Sequence, residues 1–239
     1  MRAASAVSAR PFIAMDWRDV LFLHWPVNAR ELRPRIPADL ELDTYDGTAW
    51  VSVVAFRIAA ARPYGFPAAT ALPAFGEINV RTYVRGAAKD GLWFFSLDAA
   101  SRLAVAGGRR VVHLPYYRAR IDAKWTATEC HYRSQRCDQR SSAASFAASA
   151  RFGGDVRVGA PGSLDAWLVE RYCFYTVDPA GKTRRGDVRH APWLLRDATA
   201  EVAEGGLLTA AGITPQTDNP LVHVSPGVSA RAWTLTTSC

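Results

Sequence analysis

Phe75-Gly-Glu-Ile-Asn-Val-Arg-Thr-Tyr-Val84 decides the fold of this chain, because it reads as a β-strand with two unlike faces. Glu77, Asn79, Arg81 and Tyr83 fall on one side, and Ile78, Val80, Thr82 and Val84 on the other, as the two-residue period of a strand requires. The next run, Leu92-Trp-Phe-Phe-Ser-Leu97, is apolar on both faces, which is the pattern of a sheet covered on both sides. If the two runs are neighbours, the polar row has two possible surroundings. It is either a solvated outer face or the lining of an enclosed space, and a Glu, an Asn, an Arg and a Tyr in an enclosed space suggest a small-molecule pocket.

Working outward, residues 16–25 and 48–58 read as strands. Between them Asn28 is a helix N-cap for one short turn, which Pro34 and Pro37 prevent from growing. Residues 62–73 carry Pro63, Gly65, Pro67 and Pro73, an irregular loop long enough to suggest a functional role such as a lid. Strands are expected at 77–86 and 91–98, then a helix over 99–106 stopped by Gly107-Gly108. Strands follow at 111–122 and 124–133, and a hairpin joins 145–152 to 155–158 across Gly153-Gly154. Ser163 caps a short helix with Leu164, Trp167 and Leu168 as its apolar stripe. A second hairpin joins 172–177 to 183–190, and the last strands lie at 198–203 and 230–236. With no repeat and no linker, residues 13–239 form one domain behind a tail over 1–12. The class is α+β and β-rich with a few short helices, and a closed or nearly closed antiparallel β-barrel is the expected architecture.

Composition narrows the function. The net charge of +7 comes almost wholly from Arg, since Lys occurs only at 89, 124 and 182, and the Arg are scattered without a basic run. That pattern argues against nucleic acid and leaves anionic small molecules open. The four cysteines form no Cys-x-x-Cys pair and the five histidines no His-Glu-x-x-His motif, so neither a metal nor another cofactor is expected. No apolar run has the length of a membrane span, and the Ala/Ser-rich start lacks the apolar stretch of a signal peptide. The expected setting is the cytoplasm, with reduced thiols and no membrane association.

Several short elements resemble the YqjF-like family, a domain of unknown function. They are Trp17-Arg18-Asp19 with Leu21-Phe22-Leu23-His24-Trp25, Leu32-Arg33-Pro34, Leu40-Glu41-Leu42-Asp43, Glu77 to Val84, Phe94-Phe95-Ser96-Leu97-Asp98, Leu114-Pro115-Tyr116, Glu170-Arg171-Tyr172 and His190-Ala191-Pro192-Trp193. Their order is also similar, more distantly, to the acetoacetate decarboxylase superfamily. That resemblance implies a cone-shaped β-barrel with an internal active site, and an oligomer such as a homo-oligomer. Arg18 and Glu77 fall where that family has a pocket Arg and Glu, and Gly108-Arg109-Arg110…Pro115-Tyr116-Tyr117 resembles its Gly-Arg-Glu…Pro-Lys-Lys element. The departure is chemical. The family's Schiff-base lysine follows that Pro, and here the position is Tyr116; a phenol cannot form an iminium ion. A second acidic residue expected near 51–53 is also missing. Decarboxylation by the family route is therefore disfavoured. Of the three lysines only Lys124 begins a strand in a position that allows it to turn inward.

The candidate catalytic residues are Glu77, as a general base if burial raises its pKa, and Tyr116, as a donor to an oxyanion. The candidate binding residues are Arg18 and Arg81 for a substrate carboxylate, with Asn79, Tyr83 and His113. Each has a structural alternative: an Arg–Glu77 ion pair, a core tyrosine, a satisfied interior histidine. Three functions follow. The first is acid–base chemistry without an imine on a small organic acid or carbonyl compound. The second is ligand binding or sensing without turnover, and the third is a structural barrel packed shut.

Overall fold

The structure is a computed structural model and describes residues 10–237. Along the chain lie β1 (Ile13–Val27), α1 (Ala29–Leu32), β2 (Glu41–Leu42), β3 (Ala49–Pro63), β4 (Phe75–Arg85), β5 (Asp90–Ala99), α2 (Arg102–Val111), β6 (Tyr116–Trp125), β7 (Glu129–Arg136) and β8 (Ser145–Phe152). They are followed by α3 (Leu164–Val169), β9 (Cys173–Val177), β10 (Thr183–Arg189), β11 (Arg196–Gly205), α4 (Leu207–Ala210), β12 (Leu221–Ala232) and β13 (Thr236–Thr237). All the strands join one sheet, and its pairings close on themselves. Running round the ring, β4 pairs with β3, β3 with β1, β1 with β12, β12 with β10, β10 with β9, β9 with β5, and β5 again with β4. The closure is thin in two places. Val188↔Ala232 and Arg189↔Arg231 join β10 to β12, and Leu92↔Phe174 and Trp93↔Tyr175 join β5 to β9. A second set, β6–β7–β8–β11, leaves β5 and returns to β12.

Alternation along the ring strands feeds two apolar clusters, one on each face. Leu21, Leu23, Val51, Val53, Ala55, Ile78, Val80 and Val84 pack against Tyr132, Phe146, Ala148 and Phe152 of the second set. Val20, Phe22, Val54, Phe56, Phe75, Tyr83, Leu92 and Leu97 form the other cluster with Leu168, Val169 and Phe174. The polar row of β4 belongs to this second face and is buried: Glu77, Asn79, Arg81 and Tyr83 are all less than a tenth exposed. The row is therefore no solvated outer face.

Several sequence expectations need correction. β5 pairs parallel, not antiparallel, with both β6 and β9. Parallel neighbours need a crossover, and α2 is the crossover from β5 to β6. α2 also runs on through Gly107-Gly108 instead of stopping there; Ser101 caps it, with its hydroxyl accepting from Ala104 N. The reason for Gly108 is space, because a Cβ there would run into the Tyr116 ring. Residues 155–158 do not fold back on β8, whose partners are β7 and β11; Arg157 instead bridges to Leu195. The 62–73 loop is pinned to the sheet where Leu72 N donates to Ala61 O. Of the expected tail, residues 1–9 lie outside the described residues, and Phe12 is tied into the sheet at both its N–H and its carbonyl. Lys124 is exposed. No helix among the described residues is long and apolar enough to cross a membrane.

The ring closure at β5–β9 depends on Gly91, where an added Cβ would stand 2.6 Å from Cys173 Sγ and 2.9 Å from its carbonyl oxygen. Gly91→Ala is expected to destabilise the fold by about 1–3 kcal/mol, the usual range for overpacking. The check is a lowered urea midpoint at unchanged slope; an unmoved midpoint would mean the seam is not close-packed.

Candidate functional site

The inner face of the ring encloses a cavity of about 300 Å³ walled mostly by apolar side chains. Strand register sets its depth. Trp17, Ile58 and Phe75 share one level, then Phe56 with Glu77, then Phe22 and Val54 with Asn79, then Ser52 and Phe94 with Arg81. The upper end opens beside α2, whose Leu103 and Val111 line the cavity while 68% and 55% exposed. At the lower end α3 closes the space with Leu168 and Val169, both fully buried.

Glu77 stands in the upper half. Tyr116 Oη donates to its Oε2 at 3.2 Å. Burial pushes the Glu77 carboxyl up to about 8; hydrogen bonds from Tyr116 and Asn79 pull it down, and nearby Asp98 adds to the rise. Burial and Glu77 also push the Tyr116 phenol well up. At neutral pH both groups therefore hold their protons. The condition set for Glu77 as a base, a pKa raised by burial, is met; below about 8 the carboxyl holds its proton and is a donor, and above it an acceptor.

The lower half carries charge. Arg81 Nη2 donates to Leu168 O at 3.4 Å, and the guanidinium lies 5.8 Å from the centre of the Phe22 ring. Its Nε has no partner among the described residues. The groups that perturb it are Tyr83 and a second guanidinium, Arg171, with no carboxylate among them. Arg171 also lines the cavity, donates from Nη1 to Asp43 Oδ2 at 2.9 Å, and leaves Nη2 unpartnered. Asp43 is shared further with Arg85 at 2.6 Å. Two guanidiniums thus share one carboxylate and Arg81 has none, so the closed end is electropositive. The expected Arg–Glu77 ion pair is not formed, because four residues of strand separate Glu77 and Arg81 by roughly 13 Å.

The structure brings Glu77, Asn79, Arg81 and Tyr116 together in one cavity and leaves three candidates outside its lining. Arg18 turns outward. Phe22 and Val20 point inward, but β1 bulges between Arg18 and Leu21, with Asp19 at φ 58°; the irregularity between Asp16 and Trp17 puts its extra residue, Ala59, in β3 and leaves the alternation of β1 unchanged. An extra residue at a bulge reverses the alternation. Trp17, Met15 and Ile13 therefore take the inward places, and Arg18 Nη2 reaches Asp16 at 3.6 Å. Tyr83 keeps the expected face but lies beyond Arg81, where its hydroxyl donates to Leu168 O at 2.9 Å and meets Ser52 Oγ at 2.5 Å. His113 sits in a left-handed turn at φ 53°, its carbonyl accepting from Thr176 Oγ1.

Sequence reasoning missed Arg171, although both it and its partner Asp43 lie in the motifs Glu170-Arg171-Tyr172 and Leu40-Glu41-Leu42-Asp43. It also missed His24 and His223, whose ring centres stand 5.7 Å apart. His24 Nδ1 bonds Ser52 Oγ at 2.7 Å, and His223 Nε2 lies 3.2 Å from Asp165. Burial lowers the pKa of both rings.

Comparison with known proteins follows the same lines. The model of DUF2071, described as an uncharacterized conserved protein, matches residues 14–229. The chain is 40% identical over 219 residues to the uncharacterized protein YqjF of Bacillus subtilis, covering 92% of this chain and 89% of that one. Among solved structures, acetoacetate decarboxylase from Legionella pneumophila superposes with a TM-score of 0.67 at 13% identity, over 99% of this chain and 91% of the other. The enduracididine biosynthesis enzyme MppR complexed with pyruvate gives 0.68 at 12% identity, over 98% and 93%. An acetoacetate decarboxylase-like enzyme from Sphingomonas wittichii gives 0.65 at 13%, over 100% and 98%. At such identities the likeness establishes the fold.

The Glu77 titration is testable through stability. The folded state holds the proton between the ordinary carboxyl value of 4.5 and about 8. Over that window the native state binds more protons than the unfolded chain, so wild type loses stability as pH rises. Relative to Glu77→Gln, wild type is expected to lose a few kcal/mol between pH 4.5 and 8 and to level off above. Parallel stability–pH curves for the two proteins would refute a buried, protonated Glu77.

Proposed function

The chain belongs to the DUF2071 family, and from its cavity we propose that it binds a small organic acid or carbonyl compound, with Arg81 as the anchor of a carboxylate. The observation that carries this reading is the unpaired, buried guanidinium of Arg81 on the wall of an otherwise apolar cavity. A buried charge is costly until it is paired and hydrogen-bonded, and a ligand carboxylate supplies both. Arg171 stands nearby with its own free Nη2, so the acid meets two guanidiniums.

Glu77, Tyr116 and Asn79 are the groups for the rest of the ligand. Glu77 offers its own proton while accepting that of Tyr116, whose hydroxyl oxygen stays open to a ligand donor, and Asn79 Oδ1 is a buried acceptor without a partner among the described residues. Any chemistry is proton transfer, such as enolisation or dehydration. None of the three lysines lines the cavity, which leaves imine formation without an amine. Among the described residues the thiol on the wall is Cys173, which burial pushes up to about 11 and makes a poor nucleophile. The same facts support the second reading, binding or sensing without turnover. The pyruvate complexed with MppR is a molecule of the proposed class held by the same fold. The free thiols of Cys130, Cys137 and Cys173 fit a cytoplasmic setting.

The test is a thermal-shift screen of wild type, Arg81→Gln and Arg18→Gln against keto, hydroxy and aromatic acids. Ligand that binds only the native state raises Tm by mass action. Wild type and Arg18→Gln are expected to shift by several degrees and Arg81→Gln not at all. No shift with any acid, or a shift that survives in Arg81→Gln, overturns the reading. Affinity is also expected to fall above pH 8, where ionised Glu77 adds a negative charge to the cavity.

A further inference from the structure

A three- or four-carbon acid would fill only part of this cavity. The volume of about 300 Å³ corresponds to about ten waters at ~30 Å³ each and lies at the lower end of pockets that hold drug-sized ligands. The polar groups are not clustered round one point. Glu77 and Tyr116 stand toward the mouth, two strand levels above Arg81, with Asn79 between. The span from Glu77 to Arg81 along the strand is roughly 13 Å. The walls between the two ends are carbon: Phe22, Val54, Phe56, Leu97 and Phe174.

We infer that the ligand is an elongated monocarboxylic acid, its carboxylate at Arg81, its apolar body along the aromatic and aliphatic wall, and an oxo or hydroxyl group near Glu77 and Tyr116. This inference rests on the reading of Arg81 as a carboxylate anchor. The geometry also gives the direction of approach. The mouth is edged by exposed Leu103 and Val111, and the positive end is the closed one, so the acid enters carboxylate first and leaves its tail at the apolar rim. Burial of each methylene tightens binding by about fourfold, so affinity climbs with chain length until the cavity is full. A chain of about six to ten carbons spans the roughly 13 Å between the two polar ends.

The experiment is titration calorimetry of wild type with straight-chain acids from butyrate to dodecanoate, pyruvate, 8-hydroxyoctanoate, octanol and octanamide. Affinity is expected to rise at least tenfold from butyrate to octanoate and to stop rising by dodecanoate. 8-Hydroxyoctanoate is expected to bind more tightly than octanoate in wild type but equally in Tyr116→Phe, which separates a contact at the upper end from a general loss of packing. Pyruvate or butyrate binding as tightly as octanoate would overturn the elongated ligand and leave the carboxylate anchor standing. Octanol or octanamide matching octanoate would overturn the anchor itself, and so would the absence of binding by every acid.

Discussion

One unbalanced charge organises the interior. Arg81 is buried with no carboxylate to pair with, and desolvating such a group costs several kcal/mol. What offsets that cost comes from three separate elements: the Leu168 carbonyl of α3, the Phe22 face of β1, and Tyr83 of the same strand. The Leu168 carbonyl also accepts from Tyr83. The placement of α3 is thus a condition for holding the charge. Ser163 fixes where that helix begins, its hydroxyl accepting from Ala166 N, and the cavity is closed at the end where the charge sits.

The upper half answers the lower half by staying neutral. Where the resemblance to the decarboxylases expects a lysine, Tyr116 bonds to Glu77. A lysine there would add a further positive charge, and an ionised Glu77 would add a negative one at a distance too great to neutralise Arg81. Burial prevents the second, and the sequence prevents the first. The cavity accordingly has one polar end that is charged and one that is protonic, joined by apolar wall.

Much of this is legible in the residues. The alternation of β4 places Glu77, Asn79 and Arg81 on one face, and the doubly apolar β5 implies a cover over both faces. Tyr83 takes the face its position predicts, but no local pattern says that α3 closes the cavity just short of it. Arg18 departs from expectation because a bulge is a property of two paired strands; the letters Trp17-Arg18-Asp19 do not show which residue is the extra one. Gly107-Gly108 reads as a stop because glycine ends helices, whereas Gly108 serves a contact with Tyr116 that exists only in the folded chain. Arg171 is hidden for a similar reason: its partner Asp43 lies far away in sequence, and an arginine beside a tyrosine carries no local sign of burial.

The order of pairing round the ring has a consequence for biosynthesis. β1 is among the first residues described, yet one of its neighbours is β12, more than two hundred positions later, and β12 also closes the ring through β10. Until residue 232 has left the ribosome, Phe22 and the other inward residues of β1 lie on a sheet with an open edge. Such contacts of very high sequence separation form slowly, and an unpaired apolar edge invites other chains. The cavity is therefore completed only once β12 has emerged and paired with both β1 and β10, so the wall that Phe22 belongs to is built from the two strands of the ring most distant in sequence.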